Sequence, residues 1–188
     1  VSAATVAVVI PCHAERARNG LLAEALDSVN AQTRLPDQLI VAYDDGTGGC
    51  GGTRNKGLAA VTAEWSAFFD SDDLMYPPHL EKLLGKAERT GADLVYPWYD
   101  KPDVFDPHAW REGKTFDPRL LRMGNYIPVP VLVRTELIRA VGGFRGVHGH
   151  EWDVWLAMLD QGAKFVHLPV RTWLWRCHPG QTQGGLAK

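Results

Sequence analysis

Apolar and polar positions along the 188 residues follow two rhythms, one of strands and one of helices. "TVAVVI" (5–10) is a continuous, largely β-branched apolar run stopped by Pro11, the pattern of a strand buried on both faces of a parallel sheet. Leu21, Leu22, Ala25, Leu26 and Val29 then recur at helical spacing and predict a helix over 20–32. "QLIVAY" (38–43) reads as a second strand ending at Asp44-Asp45. A glycine cluster (46–52) leads into a helix near 53–63, and "WSAFF" (65–69) is a third strand that ends in "DSDD". Pro77-Pro78 open a helix through "HLEKLLGKAERTG", with proline tolerated in its first turn and Gly91 placed to end it. "ADLVYPWY" (92–99) is a fourth strand.

Strand–helix alternation over the first hundred residues predicts right-handed crossovers and a doubly wound α/β sheet, mixed but mostly parallel, with helices on both faces. Periodicity lapses over 100–118, where Pro, Asp and Gly gather, and this stretch reads as an excursion or lid rather than a second domain. A strand near 127–133, helices at 135–141 and 150–161, and strands near 164–168 and 171–177 complete a single domain over 1–188.

Composition narrows the function by exclusion. Twenty Lys+Arg against 22 Asp+Glu give a net charge of −2, and no basic run makes a nucleic-acid stripe. Three cysteines (Cys12, Cys50, Cys177) without a CxxC pair indicate neither a disulfide framework nor a structural zinc site. No apolar stretch approaches the ~18 residues of a membrane span, and no signal-peptide pattern opens the chain, so a soluble, cytoplasmic protein is expected. Of seven tryptophans, Trp152, Trp155, Trp173 and Trp175 fall in the last quarter, which fits a packed core first and a carbohydrate-facing surface second.

Candidate chemistry sits at predicted strand ends, where open α/β sheets bind ligands. Three such ends carry Cys12-His13-Ala14-Glu15, Asp44-Asp45 and Asp70-Ser71-Asp72-Asp73. If the strands are neighbours, four or five carboxylates face one crevice, and Mg²⁺ or Mn²⁺ would remove the repulsion. A helix cap after Asp72 or Asp73 is the plainer explanation, but capping needs one carboxylate, not three. "GTGGCG" (46–51) matches a dinucleotide-binding pattern in spelling only. It follows the second strand, directly after two carboxylates that would repel a pyrophosphate. A mobile loop leading to Arg54 is the expectation instead, with its guanidinium available to a diphosphate.

Together these residues resemble glycosyltransferase family 2, inverting nucleotide-sugar transferases of the GT-A fold. "VAVVIPCH" resembles the family's opening strand and turn, and "ALDSVNAQTRLPDQLIVAYDDGT" its Ser-Val-x-x-Gln-Thr helix and Asp-Asp-Gly-Ser strand end. "TRNKGLAAVTAEWSAFFDSDD" is similar to its Ala-Arg-Asn-x-Gly helix and Asp-x-Asp motif. "VGGFRG", "HEWDVWLAML" and "WRCHPGQ" resemble its Gly-Gly-Phe turn, Glu-Asp-x-Asp helix and closing Arg-x-His strand. The order of all six fragments is the family's.

The resemblance implies a nucleotide-sugar-binding half over 1–99 and an acceptor and catalytic half over 100–188. It implies donor contacts from Pro11, His13, Glu15, Asp44, Asp45, Arg54, Asp70, Ser71 and Asp72. Within that set Asp44 or Asp45 would meet the base and ribose, Asp70 the ribose, and Arg54 the diphosphate. Asp72 and His178 would hold the Mn²⁺ or Mg²⁺. Asp73 is expected only to start the next segment.

Two departures matter: His13-Ala14 stand where the family has Tyr-Asn, with Glu15 a substitute, and "HEWD" places Glu151 where the family has its Asp base. Helical phase supports Glu151 as base, because it falls inside the apolar arc of Trp152, Val154, Trp155, Leu156, Met158 and Leu159, whereas Asp153 and Asp160 fall opposite. The expected activity is metal-dependent, inverting sugar transfer from a UDP-sugar, with GDP- and dTDP-sugars as alternatives. A nucleotidyl- or phosphoryl-transfer enzyme and a non-catalytic sugar-nucleotide-binding module are the rival readings. The acceptor is left open among a glycan, a lipid, a protein side chain and a modified nucleobase, and a homodimer could complete its wall.

Overall fold

The computed structural model describes residues 3–101, 114–145 and 151–178, without the side chains of Glu15 and Arg16. Residues 102–113 of the lid candidate at 100–118, His150 and the Glu15 carboxylate therefore lie outside the described residues. In chain order the elements are β1 (Val6–Cys12), α1 (Ala14–Arg18), α2 (Leu21–Asn30), β2 (Gln38–Tyr43), α3 (Gly49–Ala60), β3 (Trp65–Phe68) and β4 (Leu74–Met75). There follow α4 (His79–Thr90), β5 (Leu94–Asp100), α5 (Pro118–Met123), β6 (Leu132–Arg134), α6 (Thr135–Ala140), α7 (Trp152–Asp160) and β7 (Phe165–Leu174).

All seven strands join one sheet in the order β2-β1-β3-β6-β5-β7-β4. β1 pairs in parallel with β2 and β3, and β5 with β7, while β6 is antiparallel to β3 and β5 and β4 to β7. Two reversals at β6 leave β2, β1, β3, β5 and β7 pointing the same way, so the sheet is mixed and mostly parallel. β1 is buried along its whole length because both faces are covered. Ala7 and Val9 enter one core layer with Leu58, Ile138 and Trp155, while Val6, Val8 and Ile10 enter the other with Leu22, Val29 and Leu83. The apolar run at 5–10 is the signature of that two-sided burial.

Several expected boundaries move, each for a local reason. β1 continues through Pro11 to Cys12. The Val9 carbonyl accepts the Phe69 N–H (3.0 Å), so Pro11, two residues on, turns the same way, toward a β3 whose pairing has ended. Its missing N–H therefore breaks no ladder bond. The glycine cluster is not a loop up to Arg54: α3 begins at Gly49 behind Gly48 (φ 80°). A side chain at Gly57 would bring its Cβ within 2.4 Å of Val9 Cγ1, so glycine there lets α3 lie directly on β1. The strand expected over 127–133 shrinks to β6, since Pro128 and Pro130 cannot donate to a ladder. The two strands expected over 164–177 are one, β7, whose register against β5 slips beyond the Pro97–Leu168 pair.

Side chains at the end of α2 fasten the segment after β3. Gln32 Nε2 donates to the Tyr76 carbonyl (2.8 Å) and its Oε1 accepts the Leu80 N–H (3.0 Å), while the Thr33 N–H donates to the Pro77 carbonyl (2.8 Å). The "QT" pair is thus a bracket for the turn into α4. No helix among the described residues is long and apolar enough to cross a membrane.

Candidate active site

Because β2, β1 and β3 are adjacent and parallel, their carboxyl ends bring the three polar clusters to one sheet edge. On the β3 side, Asp70, Asp72 and Asp73 each place a carboxylate oxygen within 4.8 Å of the others. Asp72 and Asp73 are buried, at 4% and 2% exposure, and Asp70 is half-buried. Burial, then the neighbouring charges of Asp70 and Asp72, push the Asp73 carboxyl well above the usual carboxylate range. Ser71, between them, is fully buried, and its hydroxyl has no hydrogen-bond partner among the described residues.

The segment after β7 closes this wall. His178 Nε2 lies 3.0 Å from Asp72 Oδ2, and the Arg176 N–H donates to Asp73 Oδ1 (2.9 Å). The Arg176 side chain donates to the Asp72 carbonyl and to Glu24 on α2, so one residue ties the closing segment to both. Asp73 immediately precedes β4, and its carboxylate also anchors the segment that carries His178. Such a crowded set of hard oxygen donors with one imidazole at its side is chemically of the kind that fits a divalent cation, with Asp72 and His178 as the residues that would hold it.

At the β2 end the two aspartates differ. Asp45 is exposed and engaged locally, with Lys56 Nζ 2.5 Å from Oδ2 and the Thr47 N–H and hydroxyl on Oδ1. Lys56 first, then Thr47, hold its carboxyl below the usual range. Asp44 is half-buried; its backbone N–H donates to the Cys12 carbonyl (2.9 Å) and its Oδ1 accepts the Gly46 N–H (2.9 Å). On β1, Pro11 is buried in the strand, and His13 is exposed just beyond it.

Arg54 approaches from α3 and is only 3% exposed, with Nη2 donating to Asp70 Oδ1 at 2.7 Å. Burial weighs against its charge, but Asp70, Cys50 and Glu151 outweigh that and hold the guanidinium protonated above its ordinary range. The Phe144 ring lies 5.4 Å from the Arg54 guanidinium carbon. Phe144 is fixed in turn by Asn55, whose Nδ2 donates to its carbonyl (2.7 Å) and whose Oδ1 accepts its N–H (2.8 Å).

Glu151 immediately precedes α7 and is half-buried. Burial raises its carboxyl, Arg54 opposes that, and Asp70 adds to it, which places Glu151 in the same electrostatic neighbourhood as Arg54 and Asp70. Asn125 Nδ2 donates to Glu151 Oε1 at 2.8 Å. Asp153 is exposed in the first turn of α7, as helical phase suggests.

Residues 44–147, more than half of the chain, match the model of glycosyl transferase family 2. The chain belongs to that family. The succinoglycan biosynthesis protein ExoO of Rhizobium meliloti (strain 1021) is 33% identical over 129 residues, covering 67% of this chain and 33% of ExoO. ExoW from the same organism is 32% identical, covering 56% of this chain and 41% of ExoW. The chain thus spans well under half the length of these relatives. Staphylococcus aureus TarS 1–349 in complex with UDP-GlcNAc superposes with a TM-score of 0.76 at 15% identity, over 98% of this chain and 62% of that one. A longer TarS chain superposes with a TM-score of 0.73 over 92% of this chain and 36% of that one. At that identity the likeness shows the fold, which is GT-A.

Physical reasons for several family 2 motifs are now visible. "RN" in α3 supplies Arg54 for Asp70 and Asn55 for the Gly-Gly-Phe turn. Gly143 has φ +67°, and a Cβ there would lie 2.4 Å from Asn55 Oδ1, so the turn and the asparagine fit only with glycine. Sequence reasoning missed Asn125, Arg176 and the Asn55–Phe144 pair. Arg176 stood inside the quoted "WRCHPGQ", whereas Asn125 lies in a stretch with no periodic signal.

Proposed function

We propose that this domain transfers a sugar from a nucleoside-diphosphate sugar, a UDP-sugar first, to an acceptor hydroxyl with inversion, supported by Mn²⁺ or Mg²⁺. The observations that support this reading are that the charges of Arg54 and Asp70 both act on Glu151, that Arg54 is itself paired with Asp70, and that His178 meets Asp72 two residues on. The UDP-GlcNAc complex of TarS, which shares the fold, makes UDP the first nucleotide to test.

Glu151 takes the proton of the acceptor hydroxyl while that oxygen bonds to the anomeric carbon. The bond from that carbon to the diphosphate oxygen breaks, and its electron pair leaves with the nucleoside diphosphate. A carboxyl raised by burial yet kept in reach of ionisation by Arg54 suits this proton transfer. Asp44 is positioned for the base and ribose, since Asp45 is occupied by Lys56 and Thr47. Arg54 fixes Asp70 toward the ribose and puts positive charge behind the diphosphate. Asp72 and His178 would hold the divalent cation, whose chemistry when bound is to neutralise charge growing on the leaving diphosphate.

The direct test is a panel of UDP-, GDP- and dTDP-sugars with Mn²⁺, with Mg²⁺ and with EDTA, scored by thermal shift and by product. Release of nucleoside diphosphate that requires the metal is the expected result. Release of pyrophosphate would instead identify a nucleotidyltransferase, and binding without turnover a sugar-nucleotide-binding module.

A further inference from the structure

Glu151 has a partner that no sequence motif announced. We propose that Asn125 is a positioning residue of this site: its side-chain amide holds the Glu151 carboxylate in the orientation from which it accepts the proton. The inference rests on Glu151 being the base.

The amide has only one orientation compatible with its neighbours. Asn125 Oδ1 accepts the Ile127 N–H at 3.1 Å, and a backbone N–H can only donate. Nδ2 is therefore the group that meets Glu151 Oε1 at 2.8 Å. An amide N–H can only donate, and a carboxylate oxygen accepts it more strongly than the carbonyl of a protonated carboxyl, so the contact favours the unprotonated state a base requires.

The frame around the pair is held independently. Trp152 Nε1 donates to the Leu121 carbonyl (2.6 Å), joining the first turn of α7 to α5, from whose end Asn125 follows. Arg122 Nη2 donates to Asp160 Oδ1 (2.5 Å) at the far end of α7. Asn125 and Glu151 thus flank α5 and α7, and adjacent residues of α5 tie it to each end of α7. Arg54 from α3 and Asp70 from the loop after β3 act on Glu151 with opposite sign. Asn125 adds direction, since a hydrogen bond constrains where the carboxylate points and a field does not.

The pair Asn125→Asp and Asn125→Ala separates this role from a structural one. Aspartate keeps the shape and an oxygen for the Ile127 N–H, but it replaces the donor nitrogen with an oxygen facing Glu151. The assay is UDP release from the panel's best UDP-sugar, UDP-GlcNAc being the first tried, with Mn²⁺ present and water as acceptor. We expect Asn125→Asp to lower kcat about 100-fold and Asn125→Ala about tenfold, the range of a charge-assisted hydrogen bond, with donor KM moving less than about twofold. The acid limb of the Asn125→Asp profile should also move to higher pH.

Wild-type kcat in Asn125→Asp, beside an inactive Glu151→Gln, overturns the positioning role and leaves the base intact. A Glu151→Gln variant that still turns over sinks the base assignment and this inference with it. Should Asn125→Asp fail to fold, the kcat-against-KM split of Asn125→Ala decides, and a loss confined to donor KM counts against the proposal.

Discussion

The Asp70–Asp73 cluster and Glu151 are two carboxylate regions of one site, and burial acts on Asp73 and on Glu151 in the same direction. Around Asp73 the neighbours Asp70 and Asp72 push it further from ionisation and outweigh the smaller opposing pull of Arg176. Around Glu151 the neighbours are the Arg54 guanidinium, which pulls it back, and the Asn125 amide, which donates to it. The lesson is that burial alone assigns no role. A crowd of carboxylates whose mutual repulsion outweighs the guanidiniums beside it is suited to a cation, whereas a single carboxylate balanced between burial and one guanidinium is suited to exchanging a proton.

That division is broken or sharpened most strongly by one substitution on each side. Glu151→Gln should lower kcat about 10³-fold while leaving Mn²⁺-dependent donor affinity near wild type. Asp72→Asn should do the reverse first, abolishing the Mn²⁺-dependent thermal shift and weakening donor binding, with turnover falling as a consequence. Calorimetric titration of UDP with and without Mn²⁺ checks both. If both variants lose donor affinity alike, the two walls do not divide the work as described.

The next effect concerns the frame on the Glu151 side. Gly143→Ala places a Cβ 2.4 Å from Asn55 Oδ1 at a φ of +67°, a conformation alanine resists. The Asn55–Phe144 pair must then open, at about 2 kcal/mol, and Tm should fall by roughly 4–8 °C. Because the acidic wall is built on other elements, the Mn²⁺-dependent rise in Tm should survive in this variant. Its loss would mean that the two regions are mechanically one.

A buried histidine behind the acidic loop gives a smaller effect with a defined sign. His79 Nδ1 lies 2.8 Å from Thr172 Oγ1, and burial pushes the imidazole down to about 3. Above the unfolded value near 6.5 neither state binds the proton, and stability is unaffected. Below it the unfolded chain gains a proton that the folded chain refuses, so stability falls by up to about 1.4 kcal/mol per pH unit. Urea unfolding at pH 7 and pH 5 should therefore show wild type losing about 2 kcal/mol more than His79→Gln. Mn²⁺ should leave that difference unchanged, unlike any difference that originates at Asp70–Asp73.

How much of this was legible in the sequence follows from the range of the interactions. β1 was legible because burial on both faces leaves an unbroken apolar run, and the end of α4 because Gly91 takes a φ of 62° that suits glycine. The gathering of Asp44, Asp70 and Asp72 at neighbouring strand ends was legible because each follows a predicted strand of one parallel sheet. The insertion of antiparallel β6 between β3 and β5 was not, since no local pattern encodes which distant strand is the neighbour. Arg176 on Asp73 spans 103 residues, and Asn55 on Phe144 spans 89. Asn125 lies between an α-helix end and the prolines at 128 and 130, where neither helical nor strand period operates.

The smallest predicted change tests the crowding itself. Asp73→Asn keeps an oxygen for the Arg176 N–H but removes the ionisable group from between Asp70 and Asp72. In EDTA the variant should be more stable than wild type by about 1 kcal/mol, a rise of roughly 2–4 °C in Tm. The sign with pH is fixed by linkage. The raised Asp73 carboxyl lets the folded chain hold a proton that the unfolded chain has released, so wild-type stability falls as pH rises above the ordinary carboxylate value. Asparagine has no proton to release, and the gap should therefore widen from pH 5 to pH 7. Saturating Mn²⁺ should narrow it again, because the cation supplies the charge that the folded chain lacks. A variant no more stable than wild type in EDTA across that range would show that the cluster is not strained by its charges. The contrast between a cation wall and a proton wall would then rest on the Glu151 side alone.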